Sequence, residues 1–130
     1  MKKVIVIALL ITSVSTSALA EWTFTGGGGL NYDLYVDYGS IRKNGNKVKM
    51  WEMQNFKTLQ EAGGVKYLSA ASQYEYDCQE ETMGQIAIIA YEENMAVTSV
   101  SHDEFVRVKT SPVPPNSIAM FMWKIACGRE

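Results

Sequence analysis

The feature that most limits what this chain can fold into is its pair of cysteines, Cys78 and Cys127, which are its only thiols. An even number of cysteines favours disulfide pairing in a protein exported to an oxidising compartment. A bridge between them would close a loop of about 50 residues, a constraint that chain-entropy estimates value at roughly 4 kcal/mol. An intermolecular bridge, a metal-bound pair and a nucleophilic cysteine stay open as alternatives at this point.

Export is predicted by the first 20 residues, MKKVIVIALLITSVSTSALA. Two lysines near the start are followed by an unbroken apolar run from Val4 to Ile11, and Ala18-Leu19-Ala20 has the small-x-small pattern of a cleavage site. The apolar run is much shorter than the roughly 20 residues that cross a membrane. We therefore expect a cleavable signal peptide over residues 1–20.

Cleavage before Glu21 would leave a single domain over residues 21–130, in the periplasm, outside the cell or on the cell surface. Residue 21 is not the cysteine to which a lipid anchor would be attached, and we expect no integral membrane segment after cleavage. The mature chain would carry ten basic and fourteen acidic residues, a net charge of −4. This acidic balance argues against a nucleic-acid-binding protein, which shows a basic excess.

Residues that could carry chemistry are few. The chain has one histidine, His102, whereas a nucleophilic cysteine needs a base and a closed zinc site needs about four ligands. His102 is followed by Asp103 and Glu104, but neighbouring strand residues point to opposite faces, so we interpret the trio as a solvated turn. We assign no catalytic residue, no metal ligand and no cofactor, and we expect a protein that is not an enzyme.

Alternation of apolar and polar residues predicts an antiparallel sheet of about six sequential strands. In chain order, the segments are 21–25, 30–38, 46–56, 66–78, 84–91 and 97–108. Asn44-Gly45 predicts a two-residue type I′ hairpin turn, and Ala62-Gly63-Gly64 predicts the next turn. The apolar face switches near Met50–Trp51, which indicates either a bulge or burial of both faces. Gly26 to Gly29 is interpreted as a mobile surface loop.

A C-terminal helix is predicted after the extended segment Ser111 to Pro115. Apolar residues then follow the i, i+3, i+4, i+7 pattern of a helix face, and Gly128 suits the position just past its end. That face consists of Ile118, Phe121, Met122 and Ile125. The fold class is therefore α+β, with one helix packed on the sheet and tied to it by a Cys78–Cys127 disulfide.

The order and spacing of several short motifs give the chain a resemblance to the surface-adhesin protein E family of small exported bacterial domains. The matching residues are Trp22, Tyr35-Val36-Asp37, Ser40-Ile41, Val48, Trp51, Tyr67, Ser69, Tyr76-Asp77-Cys78, Pro114 to Ser117 and Cys127. The resemblance implies an antiparallel sheet with a C-terminal helix. It also implies adhesion to host matrix proteins, a function of some members of the family.

One charged cluster stands out on this acidic chain. Four of the ten mature basic residues, Arg42, Lys43, Lys47 and Lys49, fall within the eight positions 42–49 that include the Asn44-Gly45 hairpin. Such a hairpin can contact an anionic partner, for example an acidic patch of an extracellular matrix protein or an anionic polysaccharide. The alternative is a charged edge that prevents sheet-to-sheet aggregation.

We accordingly predict an exported, non-enzymatic binding domain. The alternative function is that of a soluble periplasmic accessory or small-ligand-binding protein that is not displayed on the surface. The sequence leaves the oligomeric state open, with a dimer among the states it allows.

Overall fold

The structure, a computed structural model, describes residues 20–129. The predicted signal peptide lies outside these residues except for Ala20. The strands are β1 (Thr23–Gly28), β2 (Tyr32–Asn44), β3 (Lys47–Ala62), β4 (Val65–Asp77), β5 (Thr82–Tyr91), β6 (Ser99–Glu104) and β7 (Ser111–Pro112), and the helix is α1 (Ile118–Ala126). Strands β1 to β6 are neighbours in chain order, all antiparallel, and the short β7 pairs with β5. The predicted α+β fold is confirmed.

The two faces of the sheet pack differently, since helix α1 lies on only one of them. On the helix face, Val48, Met50 and Tyr76 are buried in one cluster with Met122 and Trp123 of α1. The opposite surface, called the open face below, includes Met53 and Ala71, which are cross-strand partners and are also buried. Burial of apolar side chains on both faces therefore gives the long strands β3 and β4 their stability.

The predicted switch of the apolar face near Met50–Trp51 results from burial of both faces. The pairing of β3 with β4 runs without interruption from Lys47 to Asn55, so β3 has no bulge against β4 there. The irregularity lies in β2, whose register against β3 shifts between Asp37 and Arg42. Extra residues in β2 increase the local twist at that point.

A disulfide between Cys78 and Cys127 joins the end of β4 to the end of α1, with a Cα–Cα distance of 5.7 Å. Trp123 adds a second link, because its indole Nε1 donates to the carbonyl of Asp77 at 2.9 Å. Ser117 caps the helix by accepting from the backbone N–H of Met120, and Gly128 has the positive φ of a residue just past a helix end. The predicted disulfide is confirmed.

The predicted helix face was correct for Met122, which is buried, and wrong for Ile118 and Phe121. The buried residues of α1 are Met122, Trp123 and Ala126, whereas Ile118 and Phe121 are partly exposed. The periodicity allowed either face. The disulfide and the indole hydrogen bond both act at the last turns of the helix, and they turn Trp123 toward the sheet.

The glycine run was also wrongly interpreted as a mobile loop, since β1 includes Gly26 to Gly28. A Cβ at Gly27 would lie 2.8 Å from the ring of Phe121, so a side chain there would force that ring to move. Gly28 has φ +146°, and a Cβ there would meet the carbonyl oxygen of Tyr32. These glycines allow β1 to pass beside α1 and return into β2.

A carboxyl group lies inside the helix face. Glu52 of β3 is partly buried, and its carboxylate accepts a hydrogen bond from the hydroxyl of Tyr76 at 2.9 Å. Burial raises the pKa of Glu52 to about 7, although the hydrogen bond from Tyr76 acts in the opposite direction. Burial and the nearby Glu52 raise the pKa of Tyr74 as well. The fold therefore contains a carboxyl group that titrates near neutral pH.

Candidate functional site: a basic hairpin and an aromatic groove

The hairpin between β2 and β3 carries the four basic residues singled out in the sequence. Its loop residues are Gly45 and Asn46, because Asn44 pairs with Lys47. The expected turn at Asn44-Gly45 is therefore displaced by one residue. Gly45 has φ +61° and Asn46 is not among the residues with positive φ, which is the pattern of a type II′ turn with glycine first.

The tip of the hairpin is anchored to the segment that follows β4. The carbonyl of Asn46 accepts from the backbone N–H of Cys78 at 2.8 Å, and its side-chain amide donates to Gln79 at 2.7 Å. Cys78 is in turn fixed by the disulfide to α1. The basic hairpin is thus held against the most constrained part of the fold.

The hairpin register places three of the four basic residues on the open face. Arg42 lies directly opposite Lys49, and Lys47 follows on the same face of β3. Lys43 lies opposite the buried Val48, so it projects toward the helix face. The structure therefore brings Arg42, Lys47 and Lys49 together and separates Lys43 from them.

Two carboxylates of β4 partly neutralise the positive charge of this cluster. Lys47 forms an ion pair with Glu75 at 3.7 Å, and Glu75 lies opposite Lys49 in the register. Asp77 lies opposite Lys47, and the pKa of its carboxyl group is lowered, first by the hydrogen bond from the backbone of Glu80 and also by Lys47. The Arg42 guanidinium donates to its own strand, at the carbonyls of Gly39 and Ile41, and forms no ion pair among residues 20–129.

A groove on the open face is a second candidate site, and the sequence analysis did not identify it. Its volume is about 230 Å³. The lining residues are Ala20, Trp22, Asp37, Trp51, Ala71, Ile89 and Tyr91. They come from the segment before β1 and from four strands, β2 to β5. Trp51 lies directly opposite Asp37, and Ala71 lies opposite Ile89.

The loop between β5 and β6 is held beside this surface by polar contacts. The side-chain amide of Asn94 donates to Asn55 at 2.9 Å, and Asn55 also accepts from the backbone N–H of Met95. The hydroxyl of Ser69 donates to Glu93 at 2.6 Å. Met95 has φ +62°, a conformation that such contacts must stabilise in a residue other than glycine. The loop is therefore fixed next to Tyr91.

The remaining sequence candidates form no site in the described part of the chain. His102, Asp103 and Glu104 lie within strand β6 and not in a turn, and His102 contacts Glu104 at 3.5 Å with both side chains exposed. Between residues 20 and 129, no three histidine, cysteine or acidic side chains are close enough to hold a metal ion. Among the described residues, no helix is long and apolar enough to cross a bilayer.

A comparison with known protein families assigns the chain to a family. The sequence profile of the family described as surface-adhesin protein E matches residues 22–128, nearly the whole predicted mature domain.

The chain belongs to the surface-adhesin protein E family.

The description of the family is that of a surface adhesin. The motifs that carried the resemblance, from Trp22 to Cys127, all lie within the matched range. A comparison with curated proteins finds no match.

Solved structures of Haemophilus influenzae protein E have the same fold. Haemophilus influenzae protein E in crystal form II matches with a TM-score of 0.60 and 14% identity, over 85% of this chain and 97% of that chain. Its selenomethionine form matches with a TM-score of 0.58 and 14% identity, over 82% and 92%. Protein E from non-typeable H. influenzae matches with a TM-score of 0.57 and 13% identity, over 85% and 83%. At these identities the similarity demonstrates a common fold, and function needs its own evidence.

Proposed function

We propose that this protein is an exported, non-enzymatic adhesin-type binding domain that contacts an anionic partner through the basic hairpin. The observation that carries the proposal is the position of Arg42, Lys47 and Lys49 on one face of a hairpin whose tip is anchored by Cys78. Membership in an adhesin family supports a binding role. The anionic partner would be an acidic patch of an extracellular matrix protein or an anionic polysaccharide.

The physical argument rests on like charges held close together. Arg42 and Lys49 are directly opposite in the β2–β3 ladder, an arrangement that destabilises a sheet unless an anion lies nearby. Glu75 supplies one carboxylate, and it is already paired with Lys47. An anionic group bound across Arg42 and Lys49 would relieve the repulsion that remains.

Exchanging Lys47 and Lys49 for glutamine tests the hairpin. Both side chains are exposed, and the Lys47–Glu75 pair contributes at most about 1 kcal/mol, so stability should change little. Retention on an anionic column such as heparin should fall, and the elution of wild type should shift with salt because exposed charges are screened.

The matched control replaces Lys57 and Lys66 by glutamine, because these exposed lysines give the same change in charge at positions remote from the hairpin tip. If both double variants lose retention equally, net charge accounts for the effect. Binding that ignores salt and survives the hairpin variant would contradict the proposal.

The proposed location is tested by the N-terminus and by protease. The mature protein should begin at Glu21 when sequenced from the exported fraction. Surface display predicts cleavage by protease added to intact cells, whereas the alternative, a periplasmic accessory or small-ligand-binding protein, predicts protection until the outer envelope is opened. A mature species that keeps Met1 would contradict the proposed cleavage.

A further inference from the structure

The groove on the open face has a composition that points to a particular ligand chemistry. Three aromatic side chains, Trp22, Trp51 and Tyr91, line it together, and the small side chain of Ala71 lies at its floor. Ala71 is buried beside Met53 in the sheet, so it leaves depth where a larger residue would fill the space. Trp22 and Trp51 are only partly buried, which leaves part of each ring available.

One carboxylate lies at this aromatic groove. Asp37 is opposite Trp51 in the β2–β3 ladder, which places the two side chains on the same face and in adjacent positions. One carboxylate oxygen of Asp37 accepts from the backbone N–H of Gly39 at 3.1 Å. Within residues 20–129, no lysine, arginine or histidine forms an ion pair with Asp37. Its negative charge is therefore not neutralised by the part of the chain that the structure describes.

We propose that this groove binds a quaternary ammonium group, as in choline. The faces of tryptophan and tyrosine rings attract cations through their quadrupoles, and tryptophan does so most strongly. The carboxylate of Asp37 supplies the counter-charge at the same groove. A groove of about 230 Å³ has room for the trimethylammonium group of choline and its hydroxyethyl chain. This volume is below that of typical pockets for drug-sized ligands.

The polar lining favours this ligand over a sugar. A sugar ring needs several converging hydrogen-bond partners, because each of its hydroxyls loses water when it binds. The groove offers the carboxylate of Asp37 and the polar edges of its aromatic residues, while Ala71 and Ile89 contribute apolar surface that stays after cleavage before Glu21. A quaternary ammonium carries no N–H group, so it can leave water without needing hydrogen-bond acceptors.

The test measures the binding of choline to the exported, processed protein. Tryptophan fluorescence and calorimetry detect the binding. The neutral isostere 3,3-dimethyl-1-butanol has the same shape without the charge and serves as the ligand control. Choline should bind saturably and about tenfold more tightly than the isostere, the size of effect expected for a partly desolvated cation on aromatic faces. Trp123 of α1 is buried between the helix and the sheet, so the signal should come from the groove tryptophans, Trp22 and Trp51.

Three variants separate this site from general effects on folding. Trp51→Leu keeps an apolar strand residue and should lower choline affinity about tenfold. Asp37→Asn keeps an oxygen for the Gly39 hydrogen bond and should weaken choline by about fivefold while leaving the isostere unchanged. Asp33→Asn is the matched control, because Asp33 lies on the same face of β2 but does not line the groove.

The hairpin variant Lys47→Gln/Lys49→Gln should bind choline like wild type, so the failure of either proposal can be distinguished from that of the other. Equal affinity for choline and its isostere would overturn the ammonium site and leave a simple apolar groove. No saturable choline binding by a folded protein would overturn it as well. A pyranose that binds with sensitivity to Trp51→Leu, when choline does not bind, would assign the groove to sugars instead.

Discussion

Replacing both Cys78 and Cys127 by serine should lower the free energy of unfolding by about 4 kcal/mol, the largest change we expect from any exchange of two side chains in this protein. The bridge spans a sequence separation of 49 residues, so it removes much of the freedom of the unfolded chain. For a domain of this length, the loss corresponds to a fall in Tm of roughly 15 °C. Thermal and chemical unfolding followed by circular dichroism measure both quantities.

The physical reason for this large effect lies in the helix as well as in the loop. Helix α1 has nine residues, too few to be stable alone in water, and depends on the sheet for its stability. The disulfide and the hydrogen bond from Trp123 to Asp77 both attach its end to the end of β4. Without the bridge, α1 can detach more easily and expose Met122, Val48 and their neighbours to water.

Wild-type protein under reducing conditions is the control for the serine variant, since the two should unfold at similar denaturant concentrations. Exchange of Ser111, an exposed residue of β7, for alanine controls for handling and should leave Tm within a few degrees. A double serine variant as stable as the oxidised wild type would show that strain in the native bridge cancels its entropic contribution.

Most of the fold could be predicted because its signals are local. Alternation along the strands and the turn residues at Ala62-Gly63-Gly64 determined the strand order, since short hairpins make sequential strands neighbours. The pairing of Cys78 with Cys127 followed from their number and from the predicted export. Where local signals were equivocal, tertiary contacts decided: α1 rotates to bury Trp123, and the glycines of β1 serve its close packing against Phe121.

The two candidate sites differ in the same way, because one depends on residues that are close in sequence and the other on residues that only the fold brings together. The basic hairpin was found because its residues are adjacent in sequence, but the turn was misplaced by one residue because Gly45 suits either position. The aromatic groove could not be found in this way. Trp22, Trp51 and Tyr91 come from distant segments, and the small residue that gives the groove its depth, Ala71, carries no signal of its own.

Glu52 shows how a residue can be ordinary in sequence and unusual in the fold. In the pattern of β3 it is one polar residue between Trp51 and Met53. In the structure it lies on the helix face, and its carboxyl group contacts the hydroxyl of Tyr76. The charged and titratable groups that act on it are Tyr76 and Tyr74, both of β4, and burial outweighs the hydrogen bond in setting its pKa near 7.

This shift makes stability depend on pH in a definite direction. The pKa of Glu52 rises from 4.5 in the unfolded chain to about 7 in the fold, so between these values the native state binds more protons than the unfolded state. The protonated carboxyl stabilises the fold fully below pH 4.5, and the contribution is lost as the pH rises through 7. At 1.36 kcal/mol for each pKa unit, the loss amounts to about 3 kcal/mol.

Glu52→Gln should remove this dependence, because the amide has nearly the same shape and stays neutral. The variant should be more stable than wild type by up to about 3 kcal/mol at pH 8, and the two should approach each other near pH 4.5. Urea unfolding across that range measures the difference between the two free energies of unfolding, in which contributions from other titrating groups cancel.

The matched control is Glu61→Gln, an exposed glutamate of β3, whose difference from wild type should stay within about 0.5 kcal/mol throughout. If Glu52→Gln differs from wild type by the same amount at every pH, then the carboxyl group of Glu52 is charged in the fold across the whole range, and water must reach it beside Tyr76.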